Sequence, residues 1–304
     1  MGTFAYLLVD IILPIFILII IGFIAQKKMK MDVRTFTRLN IYVFVPALLF
    51  TKVYETEITW QLFGSVMVYI AAICIFMYLL GEGVSRLLKY PRGISKAFVN
   101  SLLFFNSGNY GLPLVELAFK NNPIATTAQI FIMLIQNITT NTFGVFQASA
   151  GNAGTKKALK NILTMPSMFV LVAVIPIKVM HIKIPEFIMM PFHNISGGFV
   201  AFALITLGVQ LADVKIAFNI KNVLVSSFIR LIISPVLGLL LIHLLGVDGI
   251  LAKSLIIGVA TPAAVNTAII AKEFNNEPEY ASQIVFATTI LSAITIPCIL
   301  YLMG

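Results

Sequence analysis

The chain has 304 residues, of which 59% are hydrophobic and only 11% charged, and its mean hydropathy is +0.99. Soluble domains carry about 25% charged residues, so the composition excludes one and describes an integral membrane protein. A formal charge of +9 would suit nucleic acid, but the basic residues fall in short loops between apolar runs, which excludes a basic binding face and fits positive-inside topology.

At about 20 apolar residues per span, ten helices are expected, near 4–26, 33–51, 61–81, 94–119, 124–147, 160–178, 186–211, 222–245, 249–273 and 279–302. The first run is long and lacks a small-residue cleavage site, so it reads as a mature helix rather than a signal peptide. Cys74 and Cys298 lie in apolar runs of different halves and read as small buried hydrophobes, not as a disulfide. His181, His193 and His243 are scattered without cysteine or carboxylate companions, so neither a metal set nor a cofactor is expected.

The fourth run is interrupted by Asn106-Ser107-Gly108-Asn109-Tyr110-Gly111-Leu112-Pro113. Proline removes a backbone donor and glycine costs backbone entropy, so the helix should break here. The glycines should permit close approach and positive φ. Freed backbone groups at membrane depth are tolerated only inside protein or along a wet cavity, and broken helices are where secondary transporters place substrates. The ninth run breaks in the same way at Thr261-Pro262-Ala263-Ala264-Val265-Asn266.

Fifteen basic residues fall in the loops after helices 1, 3, 5, 7 and 9, against five on the other side, which puts the former loops in the cytoplasm and both termini outside. Arg230 belongs to neither set; from helix 8 it either pairs with a substrate carboxylate or, the favoured reading, snorkels to the cytoplasmic interface. A small, polar linker at 149–159 divides the chain into five-helix units 1–148 and 160–304. Asn121-Asn122-Pro123 before Ala128-Gln129-Ile130 recurs as Asn276-Glu277-Pro278 before Ser282-Gln283-Ile284. Pro14 and Pro166, and Asn40 and Asn194, match at nearly the same offset. An odd number of helices per unit makes the second enter from the opposite side, giving a 5+5 inverted repeat suited to alternating access.

The motif from Asn106 to Pro113 resembles the auxin efflux carrier family, as do the break at Pro262, Leu39-Asn40 with Pro46-Ala47-Leu48 in helix 2, and Thr288-Thr289-Ile290-Leu291-Ser292 in helix 10. The bacterial branch is often labelled malate or malonate permease and shares a superfamily with the bile acid/sodium symporters. The resemblance implies an all-α membrane fold whose helices 4 and 9 cross at their breaks. It also implies a scaffold of helices 1, 2, 6 and 7, a moving domain of helices 3–5 and 8–10, organic-anion substrates and a homodimer. Only about a dozen residues join helices 5 and 6, unlike the long loop of plant auxin carriers. The bile acid branch places a glutamate at the ninth-helix crossing where this chain has Ala263, Ala264, Val265 and Asn266, which disfavours sodium as the coupling ion.

The second half of a broken helix presents free N–H groups and about half a positive charge, so two such starts facing one point would hold a carboxylate without a buried cation. The expected substrate-binding set is Asn106, Gly108, Asn109, Tyr110, Gly111 and Pro113 from helix 4, with Thr261, Pro262, Ala263 and Asn266 from helix 9. Asn137 and Asn141 in helix 5 and Thr289 and Ser292 in helix 10 join it, since polar stripes including Gln136, Thr140 and Thr288 follow each break. Glu116 is an intramembrane carboxylate that either couples a proton or caps the second half-helix. Gly22, Gly64, Gly144 and Gly208 are small residues suited to close helix contact.

Together these point to a multi-pass transporter of small organic anions in the cell membrane, working by an elevator or rocking motion. No nucleophile–base pair or paired carboxylates lie at membrane depth, so an enzyme is not expected. The alternative is a non-transporting membrane sensor that binds its ligand through the same fold.

Overall fold

The computed structural model describes residues 3–56, 60–149, 166–214 and 220–303, nearly all of them helical. Helices follow from the composition, because a bilayer forces each N–H and C=O to find its partner within the segment. They are α1 (Phe4–Met29), α2 (Val33–Glu55), α3 (Trp60–Leu87), α4a (Arg92–Leu103), α4b (107–118), α5 (123–148), α6 (Pro166–Val179), α7 (Glu186–Ala212), α8 (Ile220–Leu245), α9a (Gly249–Ala260), α9b (Val265–Glu273) and α10 (Pro278–Leu302). Among the described residues, α1, α2, α3, α7, α8 and α10 are each long and apolar enough to cross a membrane. Ile17, Ile20, Ile21 and Ile24 of α1 point outward, as lipid-facing side chains do. The protein is an all-α, multi-pass membrane protein. From residue 150, the expected linker and the start of the sixth helix lie outside the described residues, as do Lys156, Lys157, Lys160 and Lys215.

Ordinary local signals set the helix ends. Asp32 caps α2 by accepting the Arg34 N–H at 3.1 Å. Asn122 accepts the N–H groups of Ile124 (3.1 Å) and Ala125 (3.3 Å), with Pro123 in the first turn of α5. At the related start of α10, Pro278 keeps its place, but Glu277 takes a left-handed φ of 53° and makes no side-chain cap. Cys298 is exposed rather than buried, and both cysteines are free.

Five helical turns among the described residues are of the wider π type: Leu7–Ile12, Asn40–Phe44, Ser107–Gly111, Thr140–Gly144 and Ile229–Ile233. Four of them end two residues before a proline, at Pro14, Pro46, Pro113 and Pro235. A proline ring clashes with the carbonyl four residues back and offers it no hydrogen, and a wider turn relieves both. Pro176, Pro191 and Pro297 sit inside helices without such a turn, so proline alone does not compel it.

Two packing groups emerge. In one, α7 lies along α1 and α2, and α6 lies against α2. In the other, α3 packs on α4a, α5 and α8, α9a packs on α5 and α8, and α10 packs on α8 and α9b. The α1–α7 contact is backbone against backbone: a Cβ on Gly208 would lie 2.9 Å from the Ile19 carbonyl carbon, and one on Gly22 2.9 Å from that of Ile205. Gly144 sits under the Phe104 ring, whereas Gly64 faces open space. Between the groups, α4b lies against α7.

Candidate functional site

The breaks in helices 4 and 9 meet. Phe105 and Ala263 form an antiparallel bridge, in which the Asn106 N–H donates to the Pro262 carbonyl at 2.8 Å and the Ala264 N–H to the Phe104 carbonyl at 2.9 Å. Side chains satisfy the backbone on either side. Gln136 Oε1 of α5 accepts the Phe105 N–H at 3.3 Å, and Thr288 Oγ1 of α10 accepts the Ala263 N–H at 3.1 Å. Gln129 Nε2 donates to the Ser107 carbonyl at 2.9 Å, and a Cβ at Gly111 would lie on that amide, so glycine is needed there for close approach. No glycine of the break has positive φ; among the described glycines only Gly246 and Gly249 do. The left-handed conformation expected at the break is therefore not used, because the wide π turn accommodates the chain within helical dihedrals.

A cavity of about 510 Å³ opens beside the crossing. Its floor contains the first turns of both second half-helices, Ser107, Gly108 and Asn109 of α4b and Val265 and Asn266 of α9b. The leading N–H groups of a helix have no intrahelical partner, so two partly positive ends face the same space. Amides surround it: Asn40 from α2, Asn106, Asn109, Asn137, Asn141, Gln136, Gln210 and Asn266. Asn40 Nδ2 donates to Asn109 Oδ1 at 2.7 Å, joining the two packing groups inside the site. Asn106 Nδ2 and Asn40 Oδ1 are buried with no protein partner. Glu273 is the only charged residue among the described lining residues. Thr37, Gln210, Val265, Ile269 and Glu273 also line a neighbouring cavity of about 900 Å³, bordered by Arg34, Arg38 and Lys272. The site thus leads to the end of the molecule that carries the α1–α2 and α9–α10 connections.

Arg230 does not snorkel. It is completely buried, with its guanidinium 4.8 Å from the centre of the Phe105 ring. Nη1 donates to the Leu102 carbonyl at 2.8 Å, Nε to the Thr261 carbonyl at 3.2 Å, and Nη2 to the Val259 carbonyl. These carbonyls belong to the ends of α4a and α9a, where the last carbonyls of a helix lack intrahelical partners. Arg230 lies within the π turn that precedes Pro235.

The sequence profile of the family described as "Membrane transport protein" matches residues 7–164 and 153–300. The chain belongs to this membrane transport protein family, the auxin efflux carriers. It is 22% identical over 300 residues to an uncharacterized transporter of Methanocaldococcus jannaschii, covering 94% of this chain and 96% of that one. Likewise, it is 22% identical over 297 residues to an uncharacterized transporter of Methanothermobacter thermautotrophicus, covering 95% and 96%.

In this transporter, the residues singled out from the sequence fall into two sets. Asn106, Gly108, Asn109, Asn137, Asn141 and Asn266 line the cavity. Tyr110, Gly111, Pro113, Thr261, Pro262, Ala263, Thr289 and Ser292 lie behind it. Tyr110 is fully buried and its hydroxyl accepts from Ser292 Oγ at 2.9 Å, while Thr289 Oγ1 bonds back to the Val285 carbonyl at 2.7 Å. Glu116 is remote from the cavity. It pairs with Lys52 of α2 at 3.4 Å, at the end of the transporter where Lys178 caps the last carbonyls of α2. Asn40 and Gln210 were not among the expected site residues. Their sequence signal is weak, since each is a lone amide near the end of an apolar run.

Proposed function

We propose that the transporter carries small organic carboxylates by alternating access. The observation that carries this reading is the convergence of two half-helix N-termini and a ring of amides on one cavity without a lysine or arginine among its described lining residues. Such a surface attracts one negative charge at the half-helix starts and keeps it exchangeable, whereas a lining cation would add a large desolvation cost in lipid. The lone carboxylate among the described lining residues, Glu273, stands at the opposite end of α9b. A volume of about 510 Å³ accommodates a dicarboxylate such as malate or malonate, or an auxin-like acid.

The cavity reaches the end with the basic loops, which positive-inside bias assigns to the cytoplasm, so both termini lie outside and the site faces inward. The halves 1–148 and 160–304 act as inverted repeats. Helices α1, α2, α6 and α7 form the scaffold, and the group containing the crossing moves against them as an elevator. The Lys52–Glu116 pair joins the two groups on the closed side. A proton taken up by Glu116 releases Lys52 and opens that side, which is the route for proton coupling. A homodimer interface on the scaffold would anchor the motion.

Uptake and counterflow of labelled malate, malonate and indole acetate in proteoliposomes, with imposed proton or sodium gradients, tests the reading. Saturable flux that falls at least tenfold in Asn109→Ala/Asn266→Ala is expected. Flux untouched by both substitutions refutes the site. A ligand that raises thermal stability without any flux favours a sensor.

A further inference from the structure

We propose that Arg230 is the resident cation of the crossing. A tethered guanidinium fills the carbonyl cage that a dissociable metal cation would otherwise fill, so anion binding here needs no sodium. The inference rests on the reading of the crossing as an anion site and concerns which charge makes it one.

Carbonyls at the C-terminal ends of broken helices are the usual cation ligands in transporters of this build. Here three of them, from Leu102, Val259 and Thr261, belong to the two breaks, and all three accept from one side chain. Ser234 Oγ adds a second donor to Val259 at 3.1 Å. Among the described residues no carboxylate pairs with Arg230, and the titratable groups around it are the Tyr69 phenol and the Cys74 thiol of α3. Its charge is therefore balanced by dipoles. Each half-helix end carries about half an elementary charge, so the two negative ends of α4a and α9a sum to about −1 and the guanidinium cancels them. What remains are the two positive ends of α4b and α9b, about +1 together, directed at the cavity. Without a cation in the cage, the four ends of the crossing sum to zero and the anion loses its attraction. Phe105 both stacks on the guanidinium and lines the cavity, keeping substrate and arginine apart while transmitting the field. The site thus gains a cation's charge without binding one.

The test compares purified full-length protein in lipid nanodiscs, in sodium chloride and in choline chloride at equal ionic strength. Wild type should melt at the same temperature in both. Arg230→Ala should melt lower by about 5 °C or more. It should recover saturably with millimolar sodium or methylguanidinium, small cations that fit the vacated cage. Arg230→Lys should stay indifferent to sodium, and Arg230→Met should be as impaired as the alanine variant without cation rescue. Saturable stabilisation of wild type by sodium over choline overturns the inference. So does an Arg230→Met that matches wild type, since the side chain would then only fill space. If the alanine variant does not fold in any medium, the wild-type comparison decides by itself. No carboxylate is present in these melts and chloride is the same in both, so the result stands apart from whether a carboxylate is carried. In counterflow with malonate as probe, flux by wild type that requires sodium overturns the inference while leaving the proposed function intact.

Discussion

The α1–α7 contact can be broken by a single methyl group. In Gly208→Ala the new Cβ would lie 2.8 Å from the Phe23 nitrogen and 2.9 Å from the Ile19 carbonyl carbon. The Ile19 carbonyl oxygen would lie closer still. Nonbonded heavy atoms prefer about 3.5–4.0 Å, so the helices must part by about 1 Å or more, and a gap of about 1 Å already forfeits up to half of each dispersion well. Because the obstacle is backbone, no rotamer change can absorb it, and a cost of roughly 2–4 kcal/mol is expected, in the upper part of the usual range for overpacking or above it. That corresponds to a melting temperature lower by about 3–6 °C for a chain of this size. Gly22→Ala meets Ile205 across the same crossing and should cost as much. The double variant should cost little more than either single one, since one separation accommodates both methyls. Gly64→Ala, with nothing within 4 Å, serves as the control and should be neutral or slightly stabilising. Thermal unfolding of the four proteins in nanodiscs reads this out. An unchanged melting temperature in Gly208→Ala, or full additivity in the double variant, would refute the backbone-contact argument.

Two further predictions concern other parts of the molecule. Cysteines in place of Lys52 and Glu116, joined by a short bis-thiosulfonate linker, should stop counterflow, and reduction should restore it; complete crosslinking with normal flux would rule out relative motion of the two packing groups. The Asp32 carboxyl is held below its ordinary value by the hydrogen bond from the Thr35 hydroxyl, then by the Arg34 N–H. A depressed folded-state value means that its stabilisation of α2 is complete above the ordinary carboxylate value and disappears as pH falls through the lower one. The melting difference between wild type and Asp32→Ala should therefore be present at neutral pH and vanish in strong acid, and a difference constant with pH would show that the cap does not act through its charge.

Much of the architecture is legible in the sequence because lipid makes composition decisive. Runs of apolar residues set the helices, and two clusters of proline, glycine and asparagine locate the breaks. The ends are less legible: α3 runs on through Glu82, Ser85 and Arg86 to Leu87, since a helix need not stop where the hydrocarbon does. Asn106, Asn109, Asn137, Asn141 and Asn266 can be picked out as amides in apolar surroundings, and they converge on one cavity. Asn40 and Gln210 cannot, because nothing local says which face of a long helix looks inward. Arg230 is the clearest case. Eight residues into an apolar run, an arginine is equally compatible with snorkelling and burial, and only the carbonyls of two distant breaks decide between them. The π turns are half legible, since a proline marks four of the five but three other prolines produce none.

The crossing is held by main chain. The Asn106–Pro262 and Phe104–Ala264 bonds, the leading N–H groups of α4b and α9b, and the carbonyls around Arg230 belong to peptide units, which no point mutation other than one to proline deletes. Divergence can enlarge, shrink or re-line the cavity through Asn137, Asn141 or Met133, while the sign of the charge that the proposed site favours is inherited with the bend of the chain and the one arginine seated in it. Cargo size should therefore drift quickly among descendants of this fold, and cargo charge slowly. A side-chain scan of the cavity lining, which leaves Arg230 in place, would map the variable property and pass over the fixed one.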